Sequence, residues 1–189
     1  MAYAQITRFE IDGPVLLEPR RHGDHRGWFS ETWTAKTWRE AGLPPVTWVQ
    51  DNEAFSAKVG TLRGLHFQAP PHAQAKLVRC LSGAIFDVAV DLRNGSPTYG
   101  ASIEAHLTAE RGEQLFIPTG FSHGYQTLTP DCRVAYKVDA PYAPSAEGGL
   151  KWDDAALAIE WPLLGGAILS ERDKVWPGLA ELKSPFNAS

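Results

Sequence analysis

Residues 112–127 read GEQLFIPTGFSHGYQT, and the reading of this stretch decides the fold. Two apolar runs, QLFI and GYQT with its continuation LT, are of strand type in composition. Pro118-Thr119-Gly120 breaks the chain between them, as Pro and Gly do in tight turns. The same rhythm extends outward. Towards the N-terminus lie VTWVQD, TLRGLHFQ, KLVRCL, AIFDVAVDL and IEAHLT, and towards the C-terminus lies RVAYKVD. Turn formers separate these runs at Ser82-Gly83, Asn94-Gly95-Ser96-Pro97, Arg111-Gly112 and Thr129-Pro130-Asp131. In AIFDVAVDL, Phe86, Val88, Val90 and Leu92 share one face of a strand, and Asp87 and Asp91 share the other. Many short strands joined by turns predict an all-β sandwich or barrel, with residues 1–189 forming one domain. Residues 3–17 alternate loosely and run into VLLEP, which predicts a strand. ETWTAKTWREAGLPP predicts a helix capped by Thr34 and ended by Gly42, Pro44 and Pro45. WDDAALAIEWP predicts one helical turn.

Composition narrows the function. The 189 residues are 43% hydrophobic and 21% charged, enough for a substantial core. A net charge of −4 argues against nucleic acid or an anionic membrane as partner. No run approaches the ~18 apolar residues of a membrane span, and MAYAQITRFEIDGPVLLEPR lacks the apolar stretch of a signal peptide. Only two cysteines occur, Cys80 and Cys132. That count argues against a disulfide framework, though not against a single bridge, and predicts a cytoplasmic protein. The seven tryptophans (28, 33, 38, 48, 152, 161, 176) form no stripe and are assigned to cores and interfaces. His22, His25, His72 and His106 are assigned no chemical role.

Two histidine segments carry the chemistry. In 112–127, Gly112, five residues, Pro118-x-Gly120, two residues and His123 resemble the distal motif of the cupin superfamily, although the Asn that closes the motif is Thr127 here. Gly60, His66 and Gly83 match its proximal motif in outline. The resemblance implies a cupin-type double-stranded β-helix, or jelly roll. A metal-binding cupin places a second His two residues after the first and then a Glu. Gln68 and Lys76 stand there instead. An ammonium has no lone pair to give a metal, and a neutral amide oxygen is a poor ligand for a transition metal. No metal and no cofactor are therefore expected.

A pocket with imidazoles and a cation suits proton transfer beside a ketone. His66 can take the proton near neutral pH. Lys76 can stabilise the enolate oxygen without a metal. Inverting the carbon needs an acid on the opposite face, for which Tyr136 is a candidate. A carboxylate bonded to His66 would fix its tautomer, but nothing in the composition identifies it. A regular strand over 62–68 would put Arg63 and His66 on opposite faces, so the two can share a pocket only if that strand bends.

Over nearly its whole length the chain resembles the dTDP-4-dehydrorhamnose 3,5-epimerases. The resemblance rests on DHRGWFSE, QDNEAFSAKVGTLRGLHFQ, KLVRCLSGAIFDVAVDLRNGSPTYG, LFIPTGFSHGYQTL, YKVDAPYAPSAEGGLKWDDAALAIEWP and LSERD. It implies His66 as base, Asp173 as its carboxylate, Lys76 as enolate stabiliser and Tyr136 as opposing acid. Arg63 and His123 take pocket positions, Arg63 towards the diphosphate. Arg26, Phe29 and Glu31 match the segment with which family dimers complete the nucleotide site, which implies a homodimer. Gln50, Asn52 and Tyr142 match further ligand contacts. The family's S-x-K-D reads Ser170-Glu171-Arg172-Asp173, so Arg172 stands at a ligand-contact position with an altered cation.

The implied reaction is epimerisation at C3 and C5 of dTDP-4-dehydro-6-deoxy-D-glucose to dTDP-4-dehydro-L-rhamnose. Its alternatives are an epimerase acting at C3 or C5 alone or on a GDP- or CDP-linked sugar, and a cupin that binds a sugar nucleotide without catalysis.

Overall fold

The computed structural model describes residues 2–163 and 165–188. Residues 3–17 hold two strands rather than one. β1 (Tyr3–Arg8) turns back through Gly13, which has a positive φ, and pairs antiparallel with β2 (Val15–Pro19). A small exposed hairpin follows, β3 (His22–Asp24) with β4 (Gly27–Phe29). α1 (Ala35–Glu40) begins as expected, with the Thr34 hydroxyl accepting from Thr37 N, and it ends at Ala41 before Gly42. β5 (Gln50–Ser56) starts later than VTWVQD suggested. Trp48 leaves the sheet to meet the edge of Trp38, with ring centroids 5.8 Å apart.

The central strands follow the predicted runs. They are β6 (Leu62–Gln68), β7 (Lys76–Ser82), β8 (Ala84–Asp91), the two-residue β9 (Arg93–Asn94), β10 (Ser102–Thr108), β11 (Gln114–Ile117), β12 (Phe121–Thr127) and β13 (Cys132–Val138). β14 (Glu147–Gly149) and β15 (Phe186–Asn187) complete the chain, and WDDAALAIEWP supplies its one turn at Ala155–Leu157.

Eleven of the strands form two antiparallel sheets, ordered β1-β2-β11-β7-β13-β5 and β10-β8-β12-β6-β14. Facing each other, they make the double-stranded β-helix that the cupin resemblance implied. Val78, Cys80, Ile85, Ala89, Leu115, Ile117 and Phe121 fill the space between them. The outer face of the second sheet, with Phe86, Val88 and Val90, is covered by the C-terminal segment through Leu150, Leu157, Trp161 and Phe186. The outer face of the first is covered around Trp38 and Leu43. Both faces of β8 are therefore buried. The Asp87 and Asp91 face points between the sheets, and both aspartates are fully buried. Cys80 and Cys132 are buried and unbridged.

Candidate active site

One end of the space between the sheets opens into a cleft of about 300 Å³. Its chemically active lining is Arg63, His66, Lys76, His123, Tyr136 and Asp173, rimmed by Tyr142, Glu147 and Arg172. The sequence left open how Arg63 and His66 share one pocket. Opposite β12, His66 pairs with His123 and Arg63 with Tyr125, so three steps on β6 match two on β12. The extra residue is a bulge at Gly64 and Leu65, and it returns Arg63 and His66 to the same face. Gly64 is required there. Its φ is +129°, and a Cβ would lie 2.5 Å from Gly124 Cα.

His66 Nε2 lies 2.5 Å from Asp173 Oδ1. A carboxylate only accepts, so Nε2 donates and the lone pair of the neutral ring is on Nδ1. Asp173 reaches this place on a 3-10 turn, Arg172–Lys174, and is 4% exposed. Its Oδ2 accepts from the Ser170 hydroxyl at 2.8 Å, and its own N–H donates to Ser170 Oγ at 3.2 Å. Burial pushes the Asp173 carboxyl up, but the His66 contact, Ser170 and the indole of Trp176 outweigh it and hold it below the usual carboxylate range.

A second imidazole–carboxylate pair lies deeper, where His123 Nε2 donates to Asp87 Oδ1 at 2.6 Å. Burial lowers the His123 pKa against the pull of Asp87, and the nearby Lys76 and His66 lower it further, so the ring is neutral. The other Asp87 oxygen is buried without a hydrogen-bond partner. Lys76 keeps some surface in the cleft, yet its ammonium is closely surrounded. Burial lowers its pKa to about 8, against the pull of Asp87 and Glu147. Burial raises the Tyr136 phenol, against Arg63 and with Glu147, which keeps its proton on at neutral pH.

At the rim, Glu147 Oε2 accepts from Arg172 Nη1 at 2.5 Å and from the Tyr142 hydroxyl at 3.1 Å. Tyr142 N donates to Gln50 Oε1 at 3.2 Å, and Gln50 Nε2 donates to Asn52 Oδ1 at 2.7 Å. Gln50 and Asn52 thus join the rim by this chain of bonds and along the β5 face that brings Ala54 into the cleft. The Arg63 guanidinium donates through Nε to Ser56 Oγ and through Nη2 to Phe55 O. Gln68 takes no part in the cleft. Its amide nitrogen donates to His72 O and Pro141 O, and its oxygen accepts from Ala143 N. Among the described residues no three His, Cys, Asp or Glu side chains converge as a metal site.

The structure does not bring Arg26, Phe29 and Glu31 to the cleft of their own chain. Arg26 pairs with Asp24 on the hairpin at 2.6 Å, Glu31 receives the Thr34 hydroxyl at 3.4 Å, and Phe29 is 72% exposed. Sequence reasoning assigned no chemical role to Ser170, Asp87 or Trp176. Ser170 was detectable, because a Ser three residues before an Asp suits a local side-chain turn. Asp87 was visible only as a charge inside an apolar strand. Trp176 gave no signal.

Known proteins resemble the chain over nearly its whole length. The family model described as dTDP-4-dehydrorhamnose 3,5-epimerase matches residues 8–181. The chain is 53% identical to the dTDP-4-dehydrorhamnose 3,5-epimerase of Sinorhizobium fredii, over 90% of this chain and 87% of that protein. It is 44% identical to the protein of the same name from Methanothermobacter thermautotrophicus, over 96% and 97%. The crystal structure of dTDP-6-deoxy-D-glucose-3,5-epimerase from Legionella pneumophila, in complex with dTDP-4-keto-L-rhamnose, superposes with a TM-score of 0.92. It is 39% identical to this chain, with 98% of this chain and 99% of that one covered.

Proposed function

The chain belongs to the dTDP-4-dehydrorhamnose 3,5-epimerase family, and from that premise we propose that its cleft converts dTDP-4-dehydro-6-deoxy-D-glucose to dTDP-4-dehydro-L-rhamnose by moving protons at C3 and C5. The observation that carries this reading is the His66–Asp173 contact of 2.5 Å beside Lys76 and Tyr136 in one cleft.

His66 Nδ1 takes the proton from the carbon next to the C4 ketone. The C–H electrons form the enolate, whose oxygen takes the negative charge opposite the Lys76 ammonium. Asp173 stabilises the imidazolium that results. Tyr136 returns a proton to the opposite face, the C4 carbonyl re-forms, and the carbon is inverted. Exchange of the two transferred protons with solvent resets His66 and Tyr136. Nothing is oxidised or reduced.

Arg63 and Arg172 supply cations for the diphosphate, with Arg172 exchanging its Glu147 partner for the ligand. Tyr142, Gln50 and Asn52 line the path to the sugar and base. Arg26, Phe29 and Glu31 complete the nucleotide site of a second copy, which makes the enzyme a homodimer. Phe29 supports this, since an aromatic so exposed has little to pack on within its own chain. Two unbridged cysteines fit a reducing cytoplasm, and among the described residues no helix is long and apolar enough to cross a membrane.

The test is to incubate the protein with dTDP-4-keto-6-deoxyglucose in heavy water and count deuterons by mass spectrometry and NMR. Two incorporated deuterons are expected. One would replace the reading by single-site epimerisation, and none with binding retained would leave a binding protein. His66→Asn should lower exchange by roughly 10²–10⁴-fold with the fold intact. Undiminished exchange would remove His66 from the mechanism.

A further inference from the structure

Trp176 lies directly behind the reacting dyad. It lies three residues after Asp173, and the next residue, Pro177, is tied down by its carbonyl, which accepts from Lys151 N at 2.8 Å. The indole meets the His66 ring edge-on, with centroids 6.1 Å apart and planes at 71°. Below it is Gly149, the residue that pairs with His66 across β14 and β6. A Cβ at Gly149 would come 2.3 Å from the indole carbons, so the ring rests on bare backbone. Glycine at this point is the condition for the indole to reach the dyad. Nε1 is buried and has no hydrogen-bond partner. A buried N–H without an acceptor is costly, so it is free to be drawn to a carboxylate three residues back in the chain. Asp173 is that carboxylate. Burial raises its pKa, and the indole is among the groups that, with His66 and Ser170, bring it down.

We propose that Trp176 is a positioning residue of the dyad, walling the back of His66 from water and directing its indole N–H at Asp173 so that this carboxylate stays locked on His66 Nε2. The proposal rests on the assignment of His66 as the base. The other charged or titratable groups of the cleft are Arg63, Lys76, His123, Tyr125, Tyr136, Tyr142, Glu147 and Arg172. On the turn itself Glu171 and Lys174 pair with each other at 2.5 Å.

Trp176→Phe keeps an aromatic ring on Gly149 and deletes the N–H. Removing a donor from a carboxylate destabilises its ionised form, so the carboxyl pKa rises. Because the pair titrates as a unit, the shift is read from the acid limb of the rate profile. In the variant the acid limb of deuterium exchange should move to higher pH. Exchange at about pH 6 should fall several-fold while KM stays within about twofold, the expected pattern when ground-state binding is retained. The ¹³C carboxyl resonance of Asp173 should titrate at higher pH than in the parent.

A role in packing alone would lower Tm and leave both titrations in place, and that result overturns the proposal. Should the variant fail to fold, the unmodified protein decides. The Trp176 indole ¹⁵N–H resonance should shift with the Asp173 titration, and a flat response overturns the proposal. If the parent shows no exchange at all, the functional reading fails separately, while the two NMR titrations still test the Trp176–Asp173 contact.

Discussion

Lys76 has the most demanding position of any residue in the cleft. Its task requires the ammonium, and its surroundings disfavour it. Burial brings the pKa down to about 8, and Asp87 is the first of the two carboxylates that hold it there. The protonated form is present below that value and lost above it, so the rate should fall as pH rises through about 8. Asp87→Asn keeps an acceptor for His123 Nε2 and deletes the charge. Without that charge the ammonium gives up its proton more readily, so the basic limb should move to lower pH. Exchange rates measured from pH 6 to 10 check this, and an unmoved limb would mean that Asp87 does not sustain the Lys76 charge. His66 and Lys76 were legible in the sequence because a known ligand pattern is broken at Gln68 and Lys76. Asp173 was not legible without the family. It lies 107 residues from its partner, and its burial depends on a short turn with no hydrophobic period. The electrostatic part of Asp87 depends on which face of β8 is more deeply enclosed, and alternation alone does not decide that.

The bulge in β6 does at the scale of an element what the dyad does at the scale of a residue. Without it Arg63 would point away from His66, and the cleft would lose its inner cation. Gly64→Ala puts a Cβ 2.5 Å from Gly124 Cα at a φ of +129°. A non-glycine residue in such a conformation alone costs about 1–3 kcal/mol, and the backbone overlap adds to it. We expect a loss of about 3 kcal/mol or more, read as the shift of the urea midpoint. In whatever fraction folds, exchange should drop sharply, because relieving the overlap moves Arg63 or His66. A variant with the parent's stability and rate would contradict this account of the strand. Strand existence was legible throughout the central block, since period-2 patterning and turn formers agree there. The bulge was legible only as a conflict, two site residues at the wrong parity. The hairpin inside residues 3–17 was missed because its turn, at Ile11-Asp12-Gly13, carries a single glycine signal.

At the scale of the whole molecule, the cleft lacks three of the residues assigned to it. Arg26, Phe29 and Glu31 stand on and just beyond an exposed hairpin, away from their own His66. Residue patterning could not reveal this, and only the family resemblance, in which dimers complete the nucleotide site with this segment, pointed to a second copy. If the hairpin serves a second copy, sites in a dimer are composite, and defects in different parts complement one another. Arg26→Ala and His66→Asn should each be nearly inactive alone. Mixed one to one and allowed to exchange subunits, about half of the dimers are heterodimers. In each of these one site carries both defects and the other carries none, so roughly a quarter of the parent's activity should return. A hairpin serving its own chain would leave one defect in every site, and the mixture would stay as inactive as its components. Measuring the recovery of deuterium exchange, with sedimentation to establish that subunits have exchanged, separates the two arrangements.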